Sequence, residues 1–203
     1  MSAAASAPRL VLASASPRRR QLLAELGLRF EVRPPEIDET PLPGESGEAM
    51  VRRLAIAKAV ARLEADELVL AADTVVVIDG RLLGKPADAA EAITMLGTIA
   101  GREHEVFTGV AVARSNGSGA PAFVARVDRT AVRMRALDAG EIERYVATGD
   151  PLDKAGAYAI QGIGSTLVAS IDGNYTNVVG LPIPTVDDCL REIGYDLATF
   201  RTS

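Results

Sequence analysis

The sequence predicts a mixed α/β fold (α+β in places): one long mixed sheet flanked by helices. Three observations carry that expectation. Short apolar runs alternate with stretches of helical period, the signature of layered α/β chains. Two stretches in the middle, 68–83 and 104–134, read as hairpins rather than crossovers. No internal boundary divides the chain, so residues 9–203 are expected to form one domain after a disordered start over 1–8.

The elements follow in order. Residues 9–13 are a short apolar strand. Ser16 as N-cap, Pro17 at the first helical position and Gly27 past the end bracket a helix carrying Leu22, Leu23 and Leu26. Residues 30–33 are a short strand before a Pro-rich loop to Pro43. Ser46 opens a long helix to about Ala65, with Val51, Leu54 and Ala61 on its apolar stripe and Lys58 on the same stripe. Residues 68–78 form a strand, and Asp79-Gly80 turns it into 81–83. Asp88 caps a helix over Ala89–Ile99. Residues 104–113 and 122–134 are strands joined by a Ser-Asn-Gly-Ser-Gly turn. Asp138 and Glu141 have capping-box spacing and open a helix to about Ala147. A loop rich in Gly and polar residues spans 149–164; a strand over 166–171 and a helix over 185–192 close the chain.

Composition excludes several classes. The chain has 203 residues, is 48% hydrophobic and 24% charged, and so has globular proportions. Its formal net charge of −5 argues against a nucleic-acid-coating protein, and 4% aromatics with no Trp argue against stacking platforms for single strands. One Cys (Cys189) forbids an internal disulfide, which points to a reducing compartment. One His (His104) makes His-rich metal sites and His-based triads implausible. Residues 1–8 lack the apolar core of a signal peptide, and no apolar run is long enough to span a bilayer; a soluble, cytoplasmic protein is the expectation.

A few residues break the pattern. Arg18, Arg19 and Arg20 sit in the first turn of a helix, at the positive end of its dipole, where basic residues cost a few tenths of a kcal/mol up to about 1. They mark either an anion docked on that turn or a merely solvated one. Asp73 interrupts a strand that is apolar on both sides, and a buried carboxylate needs a partner or a metal; an exposed strand end, or the cap of a neighbouring turn, is the alternative. Lys58 either snorkels outward or points at an anion. Lys85 lies in Gly84-Lys85-Pro86, where solvation is the plain reading. Asp38 and Glu39, with Asp73, would give an all-oxygen site for Mg²⁺ or Mn²⁺, or are surface charge. Gly156, Gly162 and Gly164 surround Asp153, Lys154 and Gln161 and would let backbone approach a ligand closely. Tyr158, Tyr175 and Cys189 read as packing residues, and His104 has no catalytic assignment. Neither a P-loop nor a dinucleotide fingerprint is present. The joint set suits phosphate chemistry on a metal-bound nucleotide.

The same residues resemble the Maf family. The stretches Leu12-Ala13-Ser14-Ala15-Ser16-Pro17-Arg18-Arg19, Arg53-Leu54-Ala55 through Lys58-Ala59, Ala72-Asp73-Thr74-Val75-Val76 and Gly84-Lys85-Pro86 carry the resemblance. So do Phe107-Thr108-Gly109-Val110, the run from Asp153 to Gly162 and Val178-Val179-Gly180-Leu181-Pro182. It covers residues 9–194. It implies a nucleoside triphosphate pyrophosphatase cutting between the α and β phosphates with a divalent metal (Mg²⁺, Mn²⁺ or Co²⁺). It implies a fold like that of inosine triphosphate pyrophosphatases, with two lobes around a cleft. It also implies roles: Asp73 as the catalytic acidic residue and metal ligand, Glu39 as a further acidic ligand, and Arg19, Lys58 and Lys85 as phosphate-contacting cations. Ser14 and Ser16 join the substrate site through the same motif. Arg18, Thr74 and Gln161 match the branch that cleaves dTTP and UTP; the 7-methyl-GTP branch has a tryptophan and a glutamate at the first and last of these places. The expected partner is a small-molecule nucleotide, not nucleic acid or membrane, with room for a homodimer. The alternative is a nucleotide-sensing regulator linked to septum formation that binds without turnover.

Overall fold

The computed structural model describes residues 8–115 and 120–202. The expected disordered start lies almost wholly outside these residues, as does most of the expected 115–119 turn.

Seven strands form one sheet: β1 (Arg9–Leu12), β2 (Glu31–Val32), β3 (Glu67–Ile78), β4 (Arg81–Leu83), β5 (Glu103–Arg114), β6 (Ala122–Met134) and β7 (Val168–Asp172). The order is β2-β1-β3-β5-β6-β7, with β4 also on β3. β1 runs parallel to β2 and β3; the other pairings are antiparallel. The sheet is therefore mixed, as the hairpins imply. Asp79 and Gly80 both adopt positive φ (50° and 73°), the turn geometry that matches strand twist.

β3 is the central strand because it is apolar on both faces. Alternate residues go to opposite layers. Val69, Ala71, Val75 and Val77 pack under α2 (Gly47–Ala61), against Val51, Leu54, Ala55 and Ala59. Leu68, Leu70 and Ala72 face α1 (Pro17–Glu25) and α6 (Ile183–Glu192). Val76 and Ile78 face α3 (Ala89–Ile99) and α4 (Ala139–Ala147). The second face is thus covered by two separate apolar clusters.

The topology opens one gap. On one side of β3, β1 pairs only Glu67 to Leu70, and β4 pairs only Val76 to Ile78. Residues 71–75 have no strand neighbour on that side. A crevice of about 660 Å³ lies along this open edge.

Several boundaries differ from expectation. α2 ends at Ala61, and the chain enters β3 through Asp66 in the left-handed region (φ 58°). Ala61 is exposed; the buried stripe is Met50, Val51, Leu54, Ala55, Lys58 and Ala59. Ser16 occupies the N-cap position of α1, but its side chain makes no capping bond; its N–H donates to Ser14 Oγ (3.2 Å). The strand expected over 30–33 keeps only Glu31–Val32. The 149–164 loop carries short 3₁₀ turns, and another over Gly162–Leu167 delays the last strand to Val168. A five-residue helix, α5 (Tyr175–Val179), was not expected; Asn174 caps it and Gly180 (φ 115°) ends it. The capping box of Asp138 and Glu141 and the Asp88 cap are both formed. No helix among the described residues is long and apolar enough to cross a membrane.

Candidate active site

Asp73 sits in the middle of β3 on the α2 face, 6% exposed, at the open edge. The exposed-strand-end alternative is therefore excluded. Its answering charge comes from α2. Lys58 Nζ lies 2.6 Å from Asp73 Oδ1 and 2.9 Å from Glu39 Oε1. Lys58 is 7% exposed, so it does not snorkel. The register explains the reach: Asp73 pairs with Gly109 of β5, and a Cβ at Gly109 would lie 2.2 Å from the Val51 carbonyl oxygen. The bare glycine lets α2 settle onto the sheet, so that a residue two turns further along meets Asp73.

The acidic pair after β2 divides. Both are exposed, but Glu39 lines the crevice, while Asp38 accepts from the Thr40 N–H (2.9 Å). The hydroxyl of Thr40, followed by that backbone bond, holds the Asp38 carboxyl below its ordinary pKa. Lys85 also lines the crevice, from its exposed side.

The three arginines of α1 divide as well. Arg20 points to solvent. Arg18 lines the crevice and pairs with Asp153 Oδ2 at 3.3 Å, joining α1 to the 3₁₀ loop. Burial works against ionisation of Asp153, but Lys154 and Arg18 outweigh it and hold the carboxyl below its usual range. Arg19 is buried. Its Nε donates to the Gly180 carbonyl (2.7 Å), Nη1 to the Ala72 carbonyl (2.7 Å) and Ser14 Oγ (3.1 Å), and Nη2 to Thr74 Oγ1 (3.0 Å). The Ala72 carbonyl belongs to the open edge of β3, so a guanidinium replaces a missing strand there. Burial lowers the Arg19 pKa, opposed by Asp73. Four of its five N–H groups are committed to protein oxygens, which leaves one for a ligand.

Ser14, Ser16, Thr74 and Gln161 all line the same crevice. Every residue that the family resemblance assigned to the site therefore lines one crevice, whereas Asp38, a candidate metal ligand beside Glu39, does not. Gly156 and Gly164 depart from expectation. A Cβ on Gly156 would meet Val76 at 2.8 Å, and one on Gly164 would meet the Ala159 carbonyl at 2.4 Å. These glycines serve close packing of the loop on its own protein, whereas Gly162 faces open space.

Tyr158 packs as expected: its hydroxyl meets His104 Nε2 at 2.8 Å, and burial raises its pKa. Tyr175, by contrast, is exposed. Cys189 is a core residue, its thiol pushed up to about 11 by burial. Sequence reasoning passed over Thr108 and Asn177, both fully buried polar residues behind the crevice. Asn177 donates to the Val106 carbonyl (3.0 Å) and Thr130 Oγ1 (2.9 Å), which ties α5 to the sheet. Thr108 lies in one of the stretches that carry the family resemblance, and as polarity inside an apolar strand it gives the same signal that exposed Asp73; neither signal assigns it a role.

A mixed sheet with an open strand edge, two carboxylates converging on one ammonium and further cations lining the cleft define an α/β protein with a charged ligand crevice. The chain belongs to the Maf-like protein family, whose pattern matches residues 9–193. A dTTP/UTP pyrophosphatase of Anaeromyxobacter sp. (strain Fw109-5) is 53% identical over 189 residues, 93% of this chain and 91% of its own. One from Moorella thermoacetica is 53% identical over 191 residues, 93% of this chain and 97% of its own. Among solved structures, the Staphylococcus aureus Ham1 protein superposes with a TM-score of 0.45 at 13% identity over 79% of each chain.

Proposed function

We propose that this chain hydrolyses nucleoside triphosphates, dTTP and UTP foremost, to the monophosphate and pyrophosphate. The observation that carries the reading is the meeting of Asp73, Glu39 and Lys58 at the open edge of β3, inside a crevice also lined by Arg18, Arg19 and Lys85. Relatives about half identical over more than nine-tenths of the chain bear the name dTTP/UTP pyrophosphatase. The crevice volume, about 660 Å³, is in the range of small-molecule sites.

The donor set fits a hard divalent cation. Asp73 and Glu39 offer carboxylate oxygens that already share one positive neighbour. No group of three or more His, Cys, Asp or Glu side chains is gathered for a metal among the described residues. Two carboxylates plus phosphate oxygens and water is how Mg²⁺ is commonly held. When bound, the cation supplies charge neutralisation on the phosphates and a more acidic water.

The chain's own residues do the rest. Asp73 Oδ1 is held by Lys58, and Oδ2 has no protein partner among the described residues. Asp73 accepts a proton as the water oxygen bonds to the α-phosphorus. The bond from that phosphorus to the α–β bridging oxygen breaks, and its electron pair leaves with pyrophosphate. Lys58, Lys85 and the remaining N–H of Arg19 stabilise the charge that develops there. Arg18, Thr74 and Gln161 select the nucleotide; the Gln161 amide both donates and accepts, as the edge of uracil or thymine requires.

The test is incubation with dTTP or UTP and Mg²⁺, with products resolved by ion exchange. Equimolar monophosphate and pyrophosphate are expected. Binding without turnover under Mg²⁺, Mn²⁺ and Co²⁺ alike would overturn the reading in favour of a nucleotide sensor.

A further inference from the structure

Behind the crevice a chain of hydrogen bonds crosses three elements. Thr74 and Thr108 are cross-strand partners on β3 and β5, on the face opposite Asp73. Their hydroxyl oxygens are 2.9 Å apart. Thr108 also lies 3.1 Å from the Asn177 carbonyl, and Thr74 lies 3.5 Å from the Gly180 carbonyl. Each threonine has one proton, so three arrangements compete. In the first, Thr74 donates to Thr108 and Thr108 to Asn177. In the second, Thr108 donates to Thr74 and Thr74 to Gly180. In the third, Thr108 donates to Asn177 and Thr74 to Gly180, with no bond between the two hydroxyls. The first uses contacts of 2.9 and 3.1 Å; the other two need one of 3.5 Å, at the limit of a hydrogen bond, to a carbonyl that already takes the Arg19 Nε–H. The first prevails.

The consequence falls on Thr74. Its proton is directed inward, and Arg19 Nη2 donates to it at 3.0 Å. Toward the crevice, which Thr74 lines, it presents only a lone pair. The two walls also differ. The Asp73 side holds two carboxylates and an ammonium, where phosphates and metal belong. The Thr74 side offers hydroxyls, the Gln161 amide and the Gly180 backbone, with most of Arg19's donors already committed. Apart from the Arg19 guanidinium at its border with the phosphate side, the groups of this wall are neutral and polar, and such groups suit a nucleobase.

We infer that Thr108 is a positioning residue that fixes Thr74 as a hydrogen-bond acceptor for the N3–H of uracil or thymine, and so disfavours cytosine, whose N3 is itself an acceptor. The inference rests on the function proposed above. Thr108 is fully buried, and its direct hydrogen-bond link to a crevice-lining side chain is Thr74.

The experiment compares kcat/KM for dTTP and dCTP in the wild type, Thr108→Val and Thr108→Ser. Valine keeps the shape and removes the hydroxyl; the Asn177 carbonyl keeps the Gly180 N–H at 2.9 Å, so little is orphaned. The wild type is expected to prefer dTTP. Thr108→Val should lower the dTTP:dCTP ratio about threefold to tenfold, the span of one neutral hydrogen bond, and Thr108→Ser should restore it. A merely structural role would slow both substrates equally and leave the ratio alone; that result overturns the inference. So does a wild type without preference for dTTP over dCTP. Wild-type protein that releases no pyrophosphate from either overturns the proposed function, and this inference with it. Should Thr108→Val not fold, Thr108→Ala removes the same hydroxyl and is read the same way.

Discussion

β3 carries two buried carboxylates on the same face, Glu67 and Asp73, and they are answered in opposite ways. Glu67, 2% exposed, is held by Arg33, whose Nη1 and Nη2 each meet one carboxylate oxygen at 2.9 and 3.0 Å, and by Arg9 at 2.9 Å. Both oxygens are occupied, and Arg33, ahead of every other influence, holds the carboxyl below its ordinary pKa. Asp73 is answered by one ammonium on a flexible stem, shared with Glu39. A planar guanidinium fork fixes geometry; an ammonium is a point charge that can be handed to another anion. One carboxylate is locked beside β1 and β2, and the other is left available where the edge of β3 is open.

The sharpest way to break the comparison is to neutralise each carboxylate. Asp73→Asn should cut pyrophosphate release from dTTP by about 10²- to 10⁴-fold, the usual worth of a general base, with the melting temperature little changed. Activity within a few-fold of wild type would remove Asp73 from the role proposed for it.

Gly109→Ala tests the approach of α2 that makes the Asp73–Lys58 pair. The added carbon would sit 2.2 Å from the Val51 carbonyl oxygen and 2.9 Å from the Arg52 nitrogen, both backbone, so α2 must retreat as a unit. A loss of about 1–3 kcal/mol in urea unfolding is expected, with a larger fractional loss of kcat than Glu67→Gln gives. Full activity in Gly109→Ala would mean that the pair tolerates a displaced helix.

Much of this contrast could be read in the sequence, and the reason is physical. Asp73 and Lys58 stood out because each is a charge inside an apolar period, a local anomaly. Ser46, Asp88 and Asp138 announced helix starts because capping acts over three residues. Glu67 did not stand out: at the head of β3 it reads as a solvated strand end, and its burial comes from Arg33, brought alongside by the β1–β2 pairing. The division of Asp38 from Glu39 depends on which way a loop turns, which no periodicity encodes. Thr108 depends on register with Thr74, 34 residues earlier, and on α5, 69 residues later. α5 is too short for a periodic signal, although Asn174 and Gly180 mark its ends.

Glu67→Gln is the counterpart of Asp73→Asn. It removes the charge that two arginines face, and the cost is moderated because Arg9 is exposed and Arg33 partly so. Stability should fall by about 1–3 kcal/mol while kcat for dTTP holds within twofold. A collapse of kcat with intact folding would show that the two ends of β3 are coupled and that the two carboxylates do not divide their labour.

A third buried titratable group extends the contrast to the case with no countercharge. His104, 2% exposed, meets only the neutral Tyr158 hydroxyl, and burial pushes its pKa down from 6.5 to about 4. The unfolded chain therefore binds a proton, and the folded protein does not, between those two values. Stability contributed by the neutral ring is present above pH 6.5 and is lost as pH falls toward 4. Between pH 6.5 and 5 the loss should be about 1.5 kcal/mol. His104 is the chain's one histidine, so few other groups titrate in that window. Urea unfolding at half-unit steps should show the slope in the wild type and a flatter line in His104→Gln, whose amide can still meet Tyr158. Equal slopes in the two proteins would mean that His104 titrates normally, and that burial without a countercharge is tolerated here more readily than the partners given to Glu67 and Asp73 imply.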